Sequence, residues 1–397
     1  MDFKWTEEQT ALRKEFFQVC AELEKQRPPD WEGGLEATYG SDSGWQYHLR
    51  CAKEFAKRGW LSRHWPPQYG GQGGTLTEQA MFAEARGYYG VPGADIFGVQ
   101  MLGPTILAAG NEYVKKTFLP PIASAEVMWC EGWSEPNAGS DLASLTTAAV
   151  RKGDEYVVNG QKTWITGAHR ADWIFLLART DPSAPKPQAG ISFLLADMKT
   201  PGITVRPLYY MDGGRLYNEV FLDEVHVPAK NIVGEENQGW AVTRELMGFE
   251  RSNLEAVMGL QRSLETLVKY FNETRVNGEP MAKNPLVRSR LAEAACELEA
   301  ARALAYRVAD LQGRGEMGLF DASAVKITAG ELSRKLAFHV CDLIGPYSQV
   351  KASKWAPMKG LWEQMYQQHF VLNISMGTNE IQRNIIAWFG LGLPRPK

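Results

Sequence analysis

The 397-residue chain is 44% apolar and 22% charged, with a formal net charge of -3. That balance offers no electrostatic case for nucleic acid, and no apolar run approaches the ~18 residues of a membrane span. The length is too great for one ordinary core, so two or three domains or lobes are expected.

Residues 1–125 carry helical signals. Thr6 followed by Glu8 and Gln9 resembles a helix start, and "EQTALRKEFFQVCAELEK" places apolar residues at helical spacing. The opening "MDFKWTEEQTALRKEF" is charged throughout and does not read as a signal peptide. Pro/Gly-rich breaks follow at "RPPDWEGG" and "WPPQYGGQGG". The five cysteines, at 20, 51, 130, 296 and 341, show neither metal nor disulfide spacing; reduced thiols in a cytoplasmic protein are expected.

Residues 126–239 change to strands and turns. "DEYVVNGQKTWIT" sets Asn159-Gly160 between two β-rich runs, which predicts a hairpin. "ADWIFLLART", "ISFLLADM", "ITVRPLYY" and "EVFLDEVHVP" continue as short strands, and "TDPSAPKPQAG" is an exposed loop. Residues 240–397 return to helices, over 240–275, 285–312, 320–344 and 357–375, then a turn and a last helix. Helices, a small β region and a helix bundle make an α+β arrangement.

No G-x-G-x-x-G follows a predicted strand, and neither a Walker loop nor a nucleophile elbow is present. Six scattered histidines argue against a metal centre. Chemistry is therefore expected to rest on an organic cofactor with one or two side chains. "SEPNAGSD", residues 134–141, groups small hydrogen-bonding residues around Gly and Pro; it can present amides to a phosphate or ring edge, or be a plain surface loop. Alternation puts Trp164 and Thr166 on one side of a strand, a face for a planar heteroaromatic ring or simply a core tryptophan.

In "RELMGFERSNLEAVMGL", residues 244–260, the apolar stripe is Leu246, Met247, Leu254, Val257 and Met258. Glu250 falls on that stripe, and the positions three and four residues away hold no basic partner. A desolvated carboxylate has a raised pKa suited to a general base, although a structural Glu paired with a distant Arg fits the same pattern. In "NISMGTNEIQR", residues 373–383, Gly377-Thr378-Asn379 breaks an apolar segment before the last helix, and Met376 occupies its corner.

Together these segments resemble the acyl-CoA dehydrogenase family over essentially the whole chain. The family's T/S-E-P-x-A-G-S-D loop matches Ser134 to Asp141, and its W-I-T motif matches Trp164-Ile165-Thr166. Its strand-to-helix passage matches "FLDEVHVPAKNIVGEENQGW", and its G-T-x-E/Q-I-Q-R terminus matches Gly377 to Arg383. The resemblance implies a helical N-terminal domain (1–125), a small β-barrel domain (126–239) and a C-terminal four-helix bundle (240–397), with FAD bound extended. It also implies α,β-dehydrogenation of an acyl-CoA: a carboxylate takes the α-proton and the β-hydrogen leaves as hydride to flavin N5. Electrons then pass to an electron-transferring flavoprotein, and the expected assembly is a homo-oligomer, dimer or tetramer.

Many members carry the base immediately before the terminal Gly-Thr, where this chain has Met376. A minority class, similar to isovaleryl- and long-chain-type and actinobacterial sterol-side-chain enzymes, carries it on the first bundle helix, and its E-R pair matches Glu250-Arg251. By resemblance, Trp133, Ser134, Trp164 and Thr166 contact the flavin, and Ser140 lies on the phosphate-proximal loop. Thr378 and Glu380 approach FAD from the terminal turn, and Arg275 reaches a neighbour's pyrophosphate. The Met376 amide grips the thioester carbonyl, and Arg251 lies near the CoA phosphates.

The pattern departs from the family at 342–346, where "DLIGP" keeps one glycine of Q-x-x-G-G, and at 367–370, "QQHF". Arg275 is followed by "VNGEP" without the usual Phe-Gly. These departures weaken the inter-subunit half of an FAD site. They leave open a half-site or non-catalytic partner in a hetero-oligomer; a flavin oxidase or monooxygenase on the same scaffold is a separate alternative.

Overall fold

The computed structural model describes residues 4–31, 33–250, 254–318 and 320–395, with the side chains of 249 and 250 outside the description. The N-terminal helices are α1 (Glu7–Glu24), α2 (Gly34–Gly40), α3 (Asp42–Lys57), α4 (Leu76–Tyr89), α5 (Gly103–Ala109) and α6 (Glu112–Ala123). The strands are β1 (Trp129–Gly132), β2 (Ala148–Lys152), β3 (Glu155–Thr166) and β4 (Trp173–Arg179). They continue as β5 (Ile191–Asp197), β6 (Ile203–Leu208), β7 (Tyr217–Pro228) and β8 (Ile232–Val233). Then come α7 (Gly239–Glu250), α8 (Leu254–Glu273), the short strands β9 (Arg275–Val276) and β10 (Glu279–Pro280), and α9 (Pro285–Gly313). The chain ends with α10 (Asp321–Ile344), α11 (Leu361–Gln368), α12 (Phe370–Ile374) and α13 (Asn379–Ile385). Among the described residues no helix is long and apolar enough to cross a membrane.

Backbone contacts group the residues into two compact units: 27–74 with 92–250, and 1–26, 75–91 and 251–397. The first unit holds one eight-stranded sheet in the order β6-β7-β3-β2-β4-β5-β8, with β1 on β4. Every strand contributes to one core, including Cys130, Tyr156, Val158, Ile174, Leu176, Leu194, Val220 and Val225, with Ile203 and Ile232 packed against it. Residues from the first and last strands of the order share that core, so the sheet curls over a single interior as a small barrel does. Helix α7 packs on α5 and β5. A Cβ at Gly239 would lie 2.6 Å from the Ser192 carbonyl carbon, so glycine lets α7 begin directly against β5.

The second unit is helical. Val257, Leu260, Leu264, Leu267 and Phe271 of α8 pack with Val287, Leu298 and Ala301 of α9, Ala329, Leu332, Leu336 and Val340 of α10, and Trp362 of α11. These four helices make the expected bundle. Helices α1 and α4 belong to the same unit, with α4 against α1, α8 and α9. The predicted start of α1 is a capping box: Thr6 Oγ1 accepts from Gln9 N at 3.1 Å, and Gln9 Oε1 accepts from Thr6 N at 3.1 Å. Buried Glu84 on α4 ties helices together, meeting Arg13 at 2.6 Å, Arg302 at 2.8 Å and the Tyr306 hydroxyl at 2.7 Å.

Three sequence expectations change. Asn159-Gly160 is no hairpin; β3 runs straight through it, and its antiparallel neighbours along the ladder carry a register shift. The hairpin turn lies earlier, at Gly153-Asp154, where Gly153 takes φ 62. The predicted helix to 275 ends at Glu273, and residues 275–280 form a tight ribbon whose turn residues Asn277 (φ 53) and Gly278 (φ 86) are both left-handed. The predicted helix over 357–375 divides into a 3-10 turn at 357–360, α11 and α12.

Candidate flavin and acyl-thioester site

The sheet's site residues depend on two compensating bulges between β3 and β7. Pairing runs Val158 with Val225, Gly160 with Leu222, Lys162 with Val220 and Ile165 with Asn218. One extra residue therefore falls in β7, beside Glu224 (φ 49), and one in β3, at Trp164 (φ 60). Gly160 lies between them because a Cβ there would meet Thr147 Oγ1 at 2.4 Å. The bulge aims the Trp164 indole outward, 53% exposed, edge-on to Tyr217 at 5.6 Å. Ile165 enters the core and Thr166 is half-buried, so Trp164 and Thr166 do share the outer side. Trp164 reaches it as a bulge residue rather than by regular alternation.

The 134–141 segment is built around a buried ion pair that pattern reading missed. Glu135 and Ala138 exchange backbone hydrogen bonds of 3.0 and 3.1 Å across Pro136-Asn137. The Glu135 carboxylate turns inward and accepts from Lys162 Nζ (2.8 Å), Thr146 N (2.7 Å), Thr146 Oγ1 (2.8 Å) and Thr147 N (2.9 Å). Lys162, fully buried, also donates to the carbonyls of Trp133 (3.1 Å) and Leu177 (2.8 Å). Burial alone would raise the Glu135 carboxyl, but attraction to Lys162 and the surrounding donors bring it down to about 2. For Lys162 burial wins over attraction and lowers the ammonium to about 8. Between those limits the pair is ionised.

This pair fixes the backbone at Trp133 and Ser134, and Thr163 N donates to Ser134 O at 2.9 Å. Trp133 and Ser134 are thus held beside the C-terminal half of β3, which carries Trp164 and Thr166. Trp133 is buried, edge-on to Phe175, and its indole N–H has no partner among the described residues. An orphaned buried donor beside an exposed indole fits a planar heteroaromatic ring with acceptor atoms along its edge. Ser140 is exposed, farther along the loop. Asp95, raised to about 7 by burial, would look like a base, but Phe97 N (3.1 Å) and Trp129 N (2.9 Å) occupy its oxygens and it caps the turn that leads to α5.

The other predicted residues lie on helical elements. Glu250 ends α7, and its side chain, like Arg251, lies outside the described residues. Of the stripe predicted around it, Leu246, Leu254, Val257 and Met258 are buried. Met376 takes φ 57 and Gly377 φ 73, so the terminal turn holds two successive left-handed residues. Thr378 caps α13, accepting from Ile381 N at 3.2 Å. Glu380 is exposed in the first turn of α13, where its own amide and the Thr378 hydroxyl hold its carboxyl below the usual range. Arg275 is exposed on the β9–β10 ribbon and donates to Gly278 O at 3.0 Å, separate from that turn in the chain. No group of three or more His, Cys, Asp or Glu among the described residues could hold a metal ion.

A curled sheet that presents aromatic rings, together with a four-helix bundle and a glycine turn before the last helix, makes an α+β protein suited to a planar cofactor. The family descriptions "Acyl-CoA dehydrogenase, N-terminal domain", "middle domain" and "C-terminal domain" match residues 6–126, 130–225 and 237–390. Acyl-CoA dehydrogenase FadE26 of Mycobacterium tuberculosis is 32% identical over 402 residues, covering 100% of this chain and 99% of the relative. Among solved structures, the Tcur3481-Tcur3483 steroid ACAD is 32% identical with a TM-score of 0.87, covering 100% of both chains. The ChsE4-ChsE5 complex from Mycobacterium tuberculosis is 31% identical with a TM-score of 0.86, again covering 100% of both. The chain belongs to the acyl-CoA dehydrogenase family, whose members are FAD-dependent flavoprotein oxidoreductases.

Proposed function

We propose that the chain introduces an α,β double bond into an acyl-CoA thioester, with Glu250 as the base that takes the α-proton. The observation that carries this assignment is the terminal turn. Its corner is Met376, which cannot accept a proton, and its one carboxylate, Glu380, is exposed and engaged with its own amide and Thr378. Glu250 ends a helix seated on the sheet through Gly239, which gives its backbone a fixed origin. Trp133, Ser134, Trp164 and Thr166 would hold the isoalloxazine, and Ser140, Thr378, Glu380 and a neighbouring copy's Arg275 the rest of FAD. FAD, when bound, supplies the two-electron acceptor. The Met376 amide holds the thioester carbonyl and stabilises the negative charge that develops there as Glu250 takes the proton. Arg251 would lie near the CoA phosphates.

An electron-transferring flavoprotein is the proposed electron acceptor, and the cytoplasm the proposed compartment. The likeness to a steroid ACAD and to a two-component complex supports a sterol-derived or otherwise bulky acyl group and a hetero-oligomer. Anaerobic titration of the purified flavoprotein with straight, branched, cyclic and steroid-derived acyl-CoA thioesters tests this reading. A good substrate bleaches the yellow flavin; no bleaching by any thioester, together with rapid reoxidation by oxygen of the flavin once reduced with dithionite, favours an oxidase.

A second reading is favoured by Arg275, which is tied to its own ribbon and is followed by Val-Asn-Gly rather than by the Phe-Gly of the family pattern described above. In that reading the chain is a half-site partner subunit. It would purify with little flavin alone and gain it on co-expression with a second acyl-CoA dehydrogenase chain.

A further inference from the structure

A buried polar network lies beneath the terminal turn, and the proposed function makes no use of it. Ser323 and Lys326, one turn apart on α10, are both buried. Ser323 Oγ donates to Gln382 Oε1 at 2.6 Å, which fixes the orientation of a fully buried amide. Gln382 Nε2 then donates to Met376 O at 2.6 Å and reaches Gly377 O at 3.4 Å. Lys326 Nζ bonds Asn379 Oδ1 at 2.8 Å and Asn373 O at 3.3 Å, and Asn379 Nδ2 bonds Asn373 Oδ1 at 2.8 Å. The residues before and after the turn are thereby clamped to the same face of α10.

The consequence is directional. A trans peptide points its N–H opposite to its C=O, and no peptide here is cis. With the Met376 carbonyl drawn inward to Gln382, the Gly377 amide faces away from the network. The weaker pull on the Gly377 carbonyl turns the Thr378 amide the same way. Among the described residues, none of the amides of Met376, Gly377 and Thr378 has an acceptor. Glycine at 377 is required twice over, by φ 73 and because a Cβ would lie 2.8 Å from Gln382 Nε2. Left-handed Met376, without glycine's freedom, is a strained conformation that persists only where its surroundings enforce it.

We propose that Gln382, oriented by Ser323 and braced by Lys326, is a positioning residue that turns the Gly377 amide outward as a second backbone donor to the thioester carbonyl, beside that of Met376. This rests on the reading of the terminal turn as the carbonyl-holding element. The test uses flavin-loaded protein and two probes: an acyl-CoA with no α-hydrogen, which binds without reacting, and the matched CoA thioether, in which the carbonyl is a methylene. Binding of each is read from the perturbation of the flavin spectrum.

Wild type should prefer the thioester by about tenfold or more, the scale of one or two hydrogen bonds. Gln382→Leu should bring the preference below about threefold while leaving thioether affinity within about twofold. Ser323→Ala, a milder change that keeps the amide but frees its orientation, should fall between and serves where the leucine variant does not fold. A wild type without preference overturns the reading of the turn and the inference with it. A wild type that discriminates, with both variants discriminating equally well, overturns the positioning role alone.

Discussion

Replacing Glu135 with Gln tests whether the buried pair, rather than loop composition, shapes the part of the sheet proposed to hold the cofactor. The substitution keeps the side chain's shape and one acceptor oxygen. It removes the charge opposite a lysine with no exposed surface, and it sets an NH2 group among donors from Thr146 and Thr147 that lie at 2.7–2.9 Å in the native protein. Breaking one side of a buried ion pair costs about 3–5 kcal/mol, most of it from stranding the partner. Proton linkage gives a second value. A folded-state pKa of about 2 against an ordinary 4.5 corresponds to about 3 kcal/mol of stability. Because the folded value is depressed, that contribution is complete above 4.5 and is lost as pH falls toward 2. Urea unfolding followed by tryptophan fluorescence should show Glu135→Gln destabilised on that scale at neutral pH, with a shallower acid limb. Glu135→Gln/Lys162→Met should lose less than the two single changes summed. A single variant within about 1 kcal/mol of wild type, with an unchanged acid limb, would refute the reasoning.

Trp164→Ala should alter stability by less than about 1 kcal/mol, since the ring is largely exposed, yet weaken FAD binding in a titration of apoprotein; unchanged FAD affinity would take Trp164 out of the site. Gly160→Ala should cost about 1–3 kcal/mol in thermal or urea unfolding, because Thr147 has to move from a Cβ at 2.4 Å. In the double variant Glu250→Gln/Met376→Glu, a carboxylate at the position used by other family members should restore part of the flavin bleaching lost with Glu250→Gln. No recovery would indicate that position 376 does not face the α-carbon.

Much of this was legible because periodicity and capping chemistry act locally. The Thr6 box, the strands from 173 to 228 and the bundle helices follow from spacing alone. The two Asn-Gly dipeptides show where local reading stops. At 277–278 the pair makes the two-residue turn its chemistry favours, whereas at 159–160 the strand passes through it. There Asn159 bonds the Glu224 amide and carboxylate across the ladder, and Gly160 makes room for Thr147. The difference is tertiary.

The missed residues share a cause. Lys162, Lys326 and Gln382 are polar groups buried on partners far away in sequence, and pattern reading assigns such groups to solvent. A lysine on the small-residue stripe of α10, between Ala322 and Ala329, was the available signal for Lys326. For Glu135 and Lys162 the signal was weaker: an acidic residue in a turn and a lysine in an otherwise apolar strand, 27 positions apart.

The assignment of the base is tested most directly by adding a good acyl-CoA thioester, without oxygen, to flavin-loaded Glu250→Gln. The protein should remain folded and yellow, bind the thioester, and fail to lose its flavin absorbance on the timescale that bleaches wild type. Full bleaching at the wild-type rate would place the proton acceptor on another residue.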